Sequence, residues 1–514
     1  MPPATSAPSK ELATDDSTYL HVAVESPALT EAEHEHEHEE VSTPEVQYIT
    51  PTTEADPQPT SAVYISVLLV LIQSFQYGWY TGQVNFKTYH NKITCAARPV
   101  VPGTCIMFPG HTMTQWTVLA NAWVVGGMCG TLLVAKPSDR FGRRRTLWCN
   151  GVTMMAGGIL QMTAYNVWHF AVGRFVGGIA SGFATGIIGG YIAEISPPKL
   201  RSTFGTGFHS VLSVGLLCVA ISFFFVDTGD NWRYAAAVPI VIGATFMVLA
   251  PFFMVESPVW LLAKGRNAEA EKEIARMYGE KNVPLVVARL QARHTKVEAV
   301  PFRTVFKPEY RFQLLIACAV AHFHQFCGIN AVLFYSSSIF STSGISDPRV
   351  GTLIVDLVNC LPTLVLGVFA KRLKTRTMLL VGTSIMLMCA IVMTISLVKE
   401  IGPVSVAFTA IYVGGFGISY GPLVWSVTAE LFPAEIRSRA VSLAMMSMWL
   451  SKITVGIGYP YMHEALDNYS FIPFIGTLTF ALTFLYFLMP DTHNKSIDEI
   501  EELFRQRREK RAKK

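Results

Sequence analysis

Amide and aromatic side chains lie inside stretches of this sequence that are otherwise apolar. Gln325, Asn330 and Asn359 carry side-chain amides, which both donate and accept hydrogen bonds. Trp425 and Trp449 offer flat faces on which apolar C–H surface can stack. Together these groups suit a neutral solute that carries many hydroxyl groups, although each amide could instead hold two helices together.

A charged motif occurs twice along the chain. Ala193-Glu194-Ile195-Ser196-Pro197 is followed by Arg201, and Ala429-Glu430-Leu431-Phe432-Pro433 is followed by Arg437. Basic clusters at 139–144 and 371–376 form a second, looser pair. Parallel repeats of this kind are typical of transporters, whose site lies between the repeats.

The composition shows what kind of chain carries these residues. Of 514 residues, 51% are hydrophobic and only 15% are charged, whereas a globular domain has about 25% charged residues. Soluble, fibrous, disordered and nucleic-acid-binding proteins are therefore excluded as descriptions of the whole chain. The sequence predicts an integral membrane protein.

Twelve apolar stretches have the length of about 20 residues that a helix needs to cross a bilayer. Strands of a membrane barrel would be shorter and would alternate in polarity. We therefore predict an all-α membrane protein with twelve transmembrane helices in two six-helix pseudo-repeats. The stretches are 62–82, 115–135, 147–165, 169–192, 204–226, 233–254, 311–336, 350–370, 377–398, 403–428, 440–462 and 470–489.

Basic residues in the short loops predict the orientation. The loop after the second stretch holds Lys136 and four arginines between 140 and 145, while the loop after the third holds no Lys or Arg. Lys and Arg mark cytoplasmic loops, so both termini are predicted to be cytoplasmic. The plasma membrane is the expected location, with the vacuolar membrane as the alternative.

The distribution of charged and apolar residues along the sequence predicts the organisation of the chain. Residues 1–60 contain one basic residue against 13 acidic ones and are predicted to be a disordered cytoplasmic tail. The predicted divisions that follow are an N-terminal six-helix half at 61–255, a partly helical connecting segment at 256–310, a C-terminal half at 311–489 and a basic tail at 490–514.

Nine cysteines are present, and two of them differ in position from the rest. Cys95 and Cys105 follow the first stretch on the predicted outer face, which is oxidising, so they are candidates for a disulfide. The chain has no phosphate-cradling Gly-Lys-Ser/Thr loop. We predict no metal, no cofactor and no enzymatic activity.

Two charged residues lie deep in the predicted spans, where an ionisable group is costly and usually paired. Asp356 lies about 4.5 Å outward of Asn359, and Lys452 about 6 Å outward of Met448, by helical rise. The eighth stretch runs inward and the eleventh runs outward, so both charges are expected at similar depth. We therefore predict an Asp356–Lys452 ion pair. An unpaired Asp356 would instead be a candidate proton site.

Several motifs occur together in the order that one family has them. The chain resembles the sugar porter family of the major facilitator superfamily over nearly all of 62–500. The motifs are Asp139-Arg140-x-Gly142-Arg143-Arg144, Gly173-Arg174, Glu194 to Arg201, Glu256-Ser257-Pro258-x-Trp260-Leu261-Leu262, His324-Gln325-x-x-Gly328-Ile329-Asn330, Gly421-Pro422-x-x-Trp425 to Glu430 and Arg437, and Pro490-Asp491-Thr492 to Lys495-Ser496.

The resemblance implies roles for individual residues. Gln325, Asn330 and Trp425 match sugar contacts of the family, and Gln76 lies in a segment similar to glucose facilitators. The full predicted sugar site is Gln76, His209, His324, Gln325, Asn330, Asn359, Phe416, Trp425 and Trp449. The predicted cytoplasmic gate, whose ion pairs would break when the carrier opens inward, is Asp139, Arg140, Arg143, Arg144, Glu194, Arg201, Glu256, Arg372, Glu430 and Arg437.

Three departures from the family bear on mechanism. Tyr80 occupies the place where proton-coupled members have a carboxylate, and Tyr does not ionise near neutral pH. This favours facilitated diffusion. His209 and His324 replace usual glutamines; they either make transport pH-sensitive or act as neutral hydrogen-bonding groups.

The sequence therefore predicts an alternating-access carrier for a small neutral sugar, a hexose with glucose as the first candidate. The alternatives are a proton–sugar symporter that uses Asp356 or the histidines and a transporter-like sugar receptor. The expected partners are the sugar and the lipid bilayer, with no nucleic acid and no obligate protein partner.

Overall fold

Helices account for most of the described chain. The computed structural model describes residues 57–85, 92–101, 104–226, 228–294, 301–333, 347–369, 374–491 and 497–512. The helices are α1 Ser61–Gly82, α2 Lys92–Ala96, α3 Met113–Leu133, α4 Ala135–Phe141, α5 Arg143–Met162, α6 Val167–Ile195, α7 Pro198–Ser222, α8 Trp232–Phe253, α9 Pro258–Ala263, α10 Asn267–Tyr278, α11 Val283–His294, α12 Arg311–Phe326, α13 Pro348–Phe369, α14 Thr375–Val398, α15 Gly402–Gly417, α16 Tyr420–Glu430, α17 Ala434–Leu466, α18 Ile472–Leu488 and α19 Ile497–Ala512.

Twelve helical segments coincide with the twelve predicted spans. Within the described ranges, nine segments are long and apolar enough to cross a membrane. The other three are α5, which begins with three consecutive arginines, α13 and the shorter apolar α18. The prediction of an all-α chain with twelve long helices is confirmed for the part of the chain that the structure describes.

Glycines bring the helices of the first six spans close together. A Cβ added at Gly178 of α6 would lie 2.2 Å from the backbone oxygen of Trp123 in α3. One added at Gly182 would lie 2.2 Å from the backbone oxygen of Gly127. A larger residue at either position would force α3 and α6 apart, which explains the small residues at this contact.

Two spans are interrupted, and each interruption positions site residues. α12 ends at Phe326, Gly328 adopts a left-handed φ of 88°, and helical backbone resumes at 329–333. A Cβ at Gly328 would also lie 2.8 Å from the ring of Phe474, so only glycine fits. The second break separates α15 from α16 at residues 418–419. Broken helices of this kind are tolerated in membranes where they line a cavity.

Among the described residues, the first six long helices meet the last six mainly through two helix pairs, and α7 also contacts α16. α3 packs against α17, and α7 packs against α13. Within each set, α1 packs against α7, α5 against α6 and α8, and α14 against α15 and α18. The exact division of the chain into two halves stays a prediction.

Short helices follow α8 on the face of the bundle that carries the basic loops. α9, α10 and α11 lie in the connecting segment, and the backbone N–H of Thr60, just before α1, donates to Met277 O in α10 at 2.8 Å. The predicted acidic tail, apart from residues 57–60, lies outside the described residues, and so do Lys371 to Leu373 and Thr492 to Ser496.

Candidate binding site

A cavity lies between the first six and the last six long helices. The space between its lining atoms is about 450 Å³, and part of that space is open solvent. Its walls combine amides, imidazoles, aromatic rings and aliphatic side chains. The lining residues are Tyr77, Thr81, His209, Leu212, Leu216, His324, Gln325, Ile329, Asn330, Leu333, Asn359, Phe416, Trp425, Met448 and Lys452.

The break in α12 joins three of the predicted site residues in one network. Gln325 Nε2 donates to His324 Nδ1 at 2.9 Å, and Gln325 Oε1 accepts a hydrogen bond from Asn330 Nδ2. A neutral imidazole with its proton on Nε2 can accept this hydrogen bond at Nδ1. The network holds the side chains of Gln325 and Asn330 in fixed orientations at the cavity wall.

Three buried polar atoms at the cavity have no hydrogen-bond partner among the described residues. They are His209 Nε2, Asn359 Oδ1 and Trp425 Nε1. Buried polar atoms are nearly always paired, and each exception calls for an explanation. All three residues line the same cavity, where a hydroxyl-rich ligand would offer partners to both donor and acceptor atoms.

Aromatic rings cover another part of the cavity wall. The ring of Phe416 lies 5.1 Å from that of His324 and 6.1 Å from that of His209. Trp425 packs against Phe208 at 5.1 Å. Phe416 lies in the last turn of α15 and Trp425 lies in α16, so the break between the two helices allows both rings to reach the cavity.

Two predicted site residues do not line the cavity. Gln76 lies at the contact of α1 with α6, where its Nε2 donates to Gly177 O at 3.3 Å and its Oε1 accepts from Ser181 Oγ at 3.4 Å. Trp449 packs against Tyr77 and Trp123, at 5.9 and 6.0 Å between ring centroids. Gln76 therefore joins two helices, and Trp449 lies among the rings beside the cavity.

Other lining residues were missed by the sequence interpretation. Tyr77 and Thr81 are one turn apart on α1, and Leu212 and Leu216 are one turn apart on α7. Spacing by four residues places both members of each pair on one helix face. That periodicity was a usable signal for Tyr77 and Thr81, whereas aliphatic residues in an apolar helix carry no signal of their own.

The predicted ion pair between Asp356 and Lys452 does not form. No ion pair joins these two side chains, both of which belong to the described residues. Instead, Lys452 Nζ donates to Tyr77 Oη at 3.1 Å. The prediction relied on the two residues lying at similar depth. However, the helices that carry them have different neighbours: α17 packs against α3, while α13 packs against α7 and α15. Equal depth does not determine which neighbour a side chain faces.

Tyr80 belongs to a buried polar network next to the cavity. Its hydroxyl accepts a hydrogen bond from Gln161 Nε2 at 2.8 Å, and its backbone oxygen accepts one from Arg174 Nη1 at 3.1 Å. Arg174 also donates to Gln83 Oε1 at 3.3 Å and lies 5.8 Å from the ring of Trp123. Among the described residues, the groups that contact Arg174 are neutral.

Four of the predicted gate residues form what we call the basic-face cluster: Arg143, Arg144, Glu194 and Glu256. Arg143 pairs with Glu194 through two hydrogen bonds of 3.0 Å. Glu256 accepts hydrogen bonds from the backbone N–H groups of Arg143 and Ser257 at 2.9 Å and of Arg144 at 3.2 Å. Burial raises the pKa of Glu256, and these backbone donors partly offset that rise.

The cluster caps the start of α5 and ties it to α6 and α9. The first residues of α5 are Arg143 and Arg144, so the carboxylate of Glu256 meets the positive end of the helix dipole. The cluster therefore joins α5, α6 and α9, all of which belong to the part of the chain before residue 264.

The other predicted gate residues have looser contacts. Asp139 lies 3.6 Å from Arg143 with its side chain 74% exposed, and Arg140 lies over the ring of Phe141. Arg437 Nε donates to Phe432 O at 3.1 Å. Arg201 and Glu430 also make contacts. Arg372 lies outside the described residues, and ion pairs across the two sets of helices stay a prediction.

The loop after α1 contains the two cysteines singled out by the sequence. Cys95 and Cys105 are joined by a disulfide in the structure. Together with His111 they are the only group of potential ligands close enough to hold a metal among the described residues. Because both sulfurs are in the disulfide, this group offers no thiolate to a metal.

Known sugar transporters are similar to this chain over most of its length. The family model described as "Sugar (and other) transporter" matches residues 66–504. The human solute carrier family 2, facilitated glucose transporter member 4 is 30% identical over 465 residues, covering 87% of this chain and 91% of that protein. Member 3 from Gallus gallus is 31% identical over 459 residues, covering 86% and 91%.

Solved structures support the same fold. The proton:xylose symporter XylE of the major facilitator superfamily, bound to 6-bromo-6-deoxy-D-glucose, matches with a TM-score of 0.71 at 22% identity, over 86% of this chain and 99% of that chain. The partially occluded inward-open form of XylE from E. coli matches equally well, over 85% and 100%. The described helices therefore have the major facilitator fold.

These findings identify a multi-pass integral membrane transporter. The chain belongs to the sugar transporter family, and its described helices have the major facilitator fold. Its substrate class is sugars, and like its relatives it is a transporter and not an enzyme.

Proposed function

We propose that this protein moves a hexose, with glucose as the first candidate, across the membrane by alternating access. The unpartnered polar atoms of His209, Asn359 and Trp425 carry the proposal. A hexose presents hydroxyl groups to such atoms and C–H surface to the rings of Phe416 and Trp425. The relatives named as facilitated glucose transporters support glucose as the substrate to test first.

We propose further that transport is facilitated diffusion. Tyr80 stands where coupled members of the family have a carboxylate, and its hydroxyl is hydrogen-bonded to the neutral amide of Gln161. A phenol held in this way does not exchange a proton near neutral pH. A uniporter needs no such exchange, because the sugar gradient alone drives the cycle.

Uptake into proteoliposomes tests this proposal. Labelled glucose should equilibrate across the membrane and stop at equal concentrations inside and outside, whether or not a proton gradient is imposed. Accumulation above the outside concentration, driven by the proton gradient, contradicts uniport. No flux through folded, reconstituted protein contradicts transport and favours the alternative that the protein is a transporter-like sugar receptor.

Proton symport is the second candidate, and Asp356 is the observation that favours it. Asp356 is only 4% exposed, and its carboxyl group has no hydrogen bond or ion pair with another described residue. An ionised carboxylate in the membrane interior is costly, and protonation removes that cost. Asp356 could therefore carry a proton between the two faces.

The Asp356→Asn variant separates the two mechanisms. A uniporter should keep its equilibrating flux, because the amide has nearly the same shape and needs no proton. A symporter should lose accumulation driven by the proton gradient while it retains exchange of labelled sugar. Asp347→Asn is the matched control, since Asp347 lies outside the spans and pairs with Arg349 at 2.9 Å.

We infer the orientation and location from the basic loops. The basic-face cluster is assigned to the cytoplasmic side by the excess of Lys and Arg there, with both termini on the same side. The gate would then close through ion pairs at this face and open as the halves at 61–255 and 311–489 rock. The plasma membrane is proposed first, and the vacuolar membrane is the alternative; a tag accessible only after permeabilisation of intact cells tests the orientation.

A further inference from the structure

We propose that the second half of α19 binds the anionic headgroups of membrane lipids. This helix, Ile497–Ala512, lies in the segment that the sequence predicted only as a basic tail. The inference goes beyond sugar transport and does not depend on which sugar is moved. Only the choice of the cytoplasmic leaflet rests on the proposed orientation.

The first half of α19 is docked on the helix bundle by apolar side chains. Ile500 is 3% exposed and Phe504 is 1% exposed. The ring of Phe504 lies 5.9 Å from that of Phe312, the second residue of α12. Because α12 opens a membrane span that begins at Arg311, this contact holds α19 against the end of a span, at the level of the membrane surface.

The second half of α19 contains a dense group of basic residues, 505–511, which we call the basic end. Residues 497–504 include four acidic residues and no basic one, whereas the basic end includes five basic residues and one acidic one. By helical rise, every residue of the basic end lies within about 11 Å of Phe504 along the axis. Charges interact over a Debye length of about 8 Å at physiological salt, so the docked contact keeps the basic end within reach of the bilayer surface.

Helical spacing places much of the basic end on the docked face of α19. Arg507, Arg508 and Arg511 follow Phe504 by three, four and seven positions, and positions so spaced share one face of a helix. The face by which α19 meets the bundle in its first half is therefore basic in its second half. Since the bundle lies in the membrane, this is the membrane side of the helix.

Two simpler roles do not account for these charges. A basic residue stabilises the helix dipole only in the last turn, and three of the five basic residues come before that turn. An ion pair along the helix needs an acidic residue three or four positions away, as Arg505 has in Glu502 at 2.7 Å. The basic residues for which the sequence has no Asp or Glu at that spacing are Arg507, Arg508, Lys510 and Arg511.

An anionic headgroup supplies the negative charge that helical spacing does not. Phosphate and carboxylate oxygens accept charge-assisted hydrogen bonds from guanidinium groups, and clusters of about four to eight Lys and Arg next to a span are typical of anionic-lipid sites. Phosphatidylserine is therefore the probe, with zwitterionic phosphatidylcholine as its match. The other candidate occupant is the acidic segment 1–60 of this chain, with 13 acidic residues against one basic residue.

The test measures lipid binding by the full-length protein in detergent micelles. Fluorescent phosphatidylserine should bind at least fivefold more tightly than fluorescent phosphatidylcholine in low salt, and high salt should remove most of this difference. The triple variant R507Q/R508Q/R511Q should bind phosphatidylserine at least threefold more weakly than the wild type, with its affinity for phosphatidylcholine unchanged. The matched control, K264Q/K272Q/K281Q, removes three charges from exposed positions of the connecting segment and should bind like the wild type.

The outcomes separate lipid binding from the alternatives. Equal affinity of the triple variant and the wild type for phosphatidylserine overturns the inference, and so does an equal loss in the control variant, since net charge alone would then be responsible. If phosphatidylserine binds more tightly only after residues 1–56 are deleted, the acidic segment occupies the basic end and the inference fails. If the deletion changes nothing, lipid binding stands.

The design also keeps folding and transport apart from lipid binding. Thermal unfolding shows whether each variant is folded, and the salt dependence of the wild type tests the role of charge without any substitution. No sugar is involved in these measurements, so their failure leaves the proposed function standing. Conversely, absence of glucose uptake contradicts the proposed function without affecting lipid binding.

Discussion

In the basic-face cluster, the buried carboxylate of Glu256 accepts hydrogen bonds from three backbone N–H groups, and Arg143 is paired with Glu194. In the cavity, the amide oxygen of Asn359 and the indole N–H of Trp425 are equally buried and have no partner among the described residues. Both regions bury polar groups inside the same chain, but only the cluster satisfies them internally.

This difference distinguishes a structural role from a ligand-binding role. Removing a polar group from a satisfied network leaves its partners unpaired and costs stability. Removing an unpartnered group costs the fold little and removes a contact for the ligand. The same type of substitution should therefore act on stability in one region and on transport in the other.

The largest effect is expected for Glu256→Ala. It leaves the backbone N–H groups of Arg143 and Arg144 at the start of α5, and that of Ser257 just before α9, without their acceptor, so the free energy of unfolding should fall by about 3 kcal/mol. Thermal unfolding in detergent measures this. The control is Glu269→Ala, which removes an exposed pair with Arg266 and should cost less than about 1 kcal/mol. Equal shifts in the two variants would remove the distinction drawn for the cluster.

Asn359→Leu should show the opposite pattern. Loss of its free oxygen should reduce glucose uptake at low sugar concentration about tenfold, the equivalent of one hydrogen bond of about 1.4 kcal/mol. The unfolding temperature should stay unchanged or rise. In Asn150→Leu, by contrast, two hydrogen bonds of 2.9 Å to Gln73 and Ala180 are lost, and stability should fall. Normal uptake in folded Asn359→Leu protein would contradict the assignment of this atom to the ligand.

Gln76 and Gln325 give a sharper test of the distinction between structural and ligand-binding roles, because the sequence assigned both to the sugar site. Gln76→Leu should lower the free energy of unfolding by about 1 kcal/mol, since it breaks contacts between α1 and α6, and should leave the KM for glucose within twofold. Gln325→Leu should raise that KM at least fivefold. Purified variants would be compared by thermal unfolding and by uptake kinetics, and a raised KM in Gln76→Leu would return Gln76 to the site.

The smallest effect is expected when glucose uptake is measured as a function of pH. The amide nitrogen of Gln325 lies 2.9 Å from Nδ1 of His324, where a neutral imidazole can accept its hydrogen bond, so we expect the neutral-imidazole alternative. Glucose uptake should change less than twofold between pH 6 and pH 8 in proteoliposomes with equal pH on both sides. A steeper profile that is lost in His324→Gln would revive the pH-sensitive alternative.

Much of the architecture could be predicted from residue patterns. The length of each apolar stretch determined twelve helices, because a helix that spans the membrane must bury its backbone polar groups over about 20 residues. The amides Gln325, Asn330 and Asn359 were identified as site residues because few polar groups occur in such stretches. All three line the cavity.

Tertiary structure alone decided which neighbour each side chain faces. Gln76 and Gln325 have the same side chain and both lie in apolar spans, yet one joins α1 to α6 and the other lines the cavity. Asp356 and Lys452 were paired because helical rise predicts similar depth for both, but their helices pack against different neighbours. The sequence determined the helices and the depth of each residue, because both follow from local hydrophobicity and helical rise. The direction that a side chain faces depends on how distant helices pack, and hence on contacts between residues far apart in the chain.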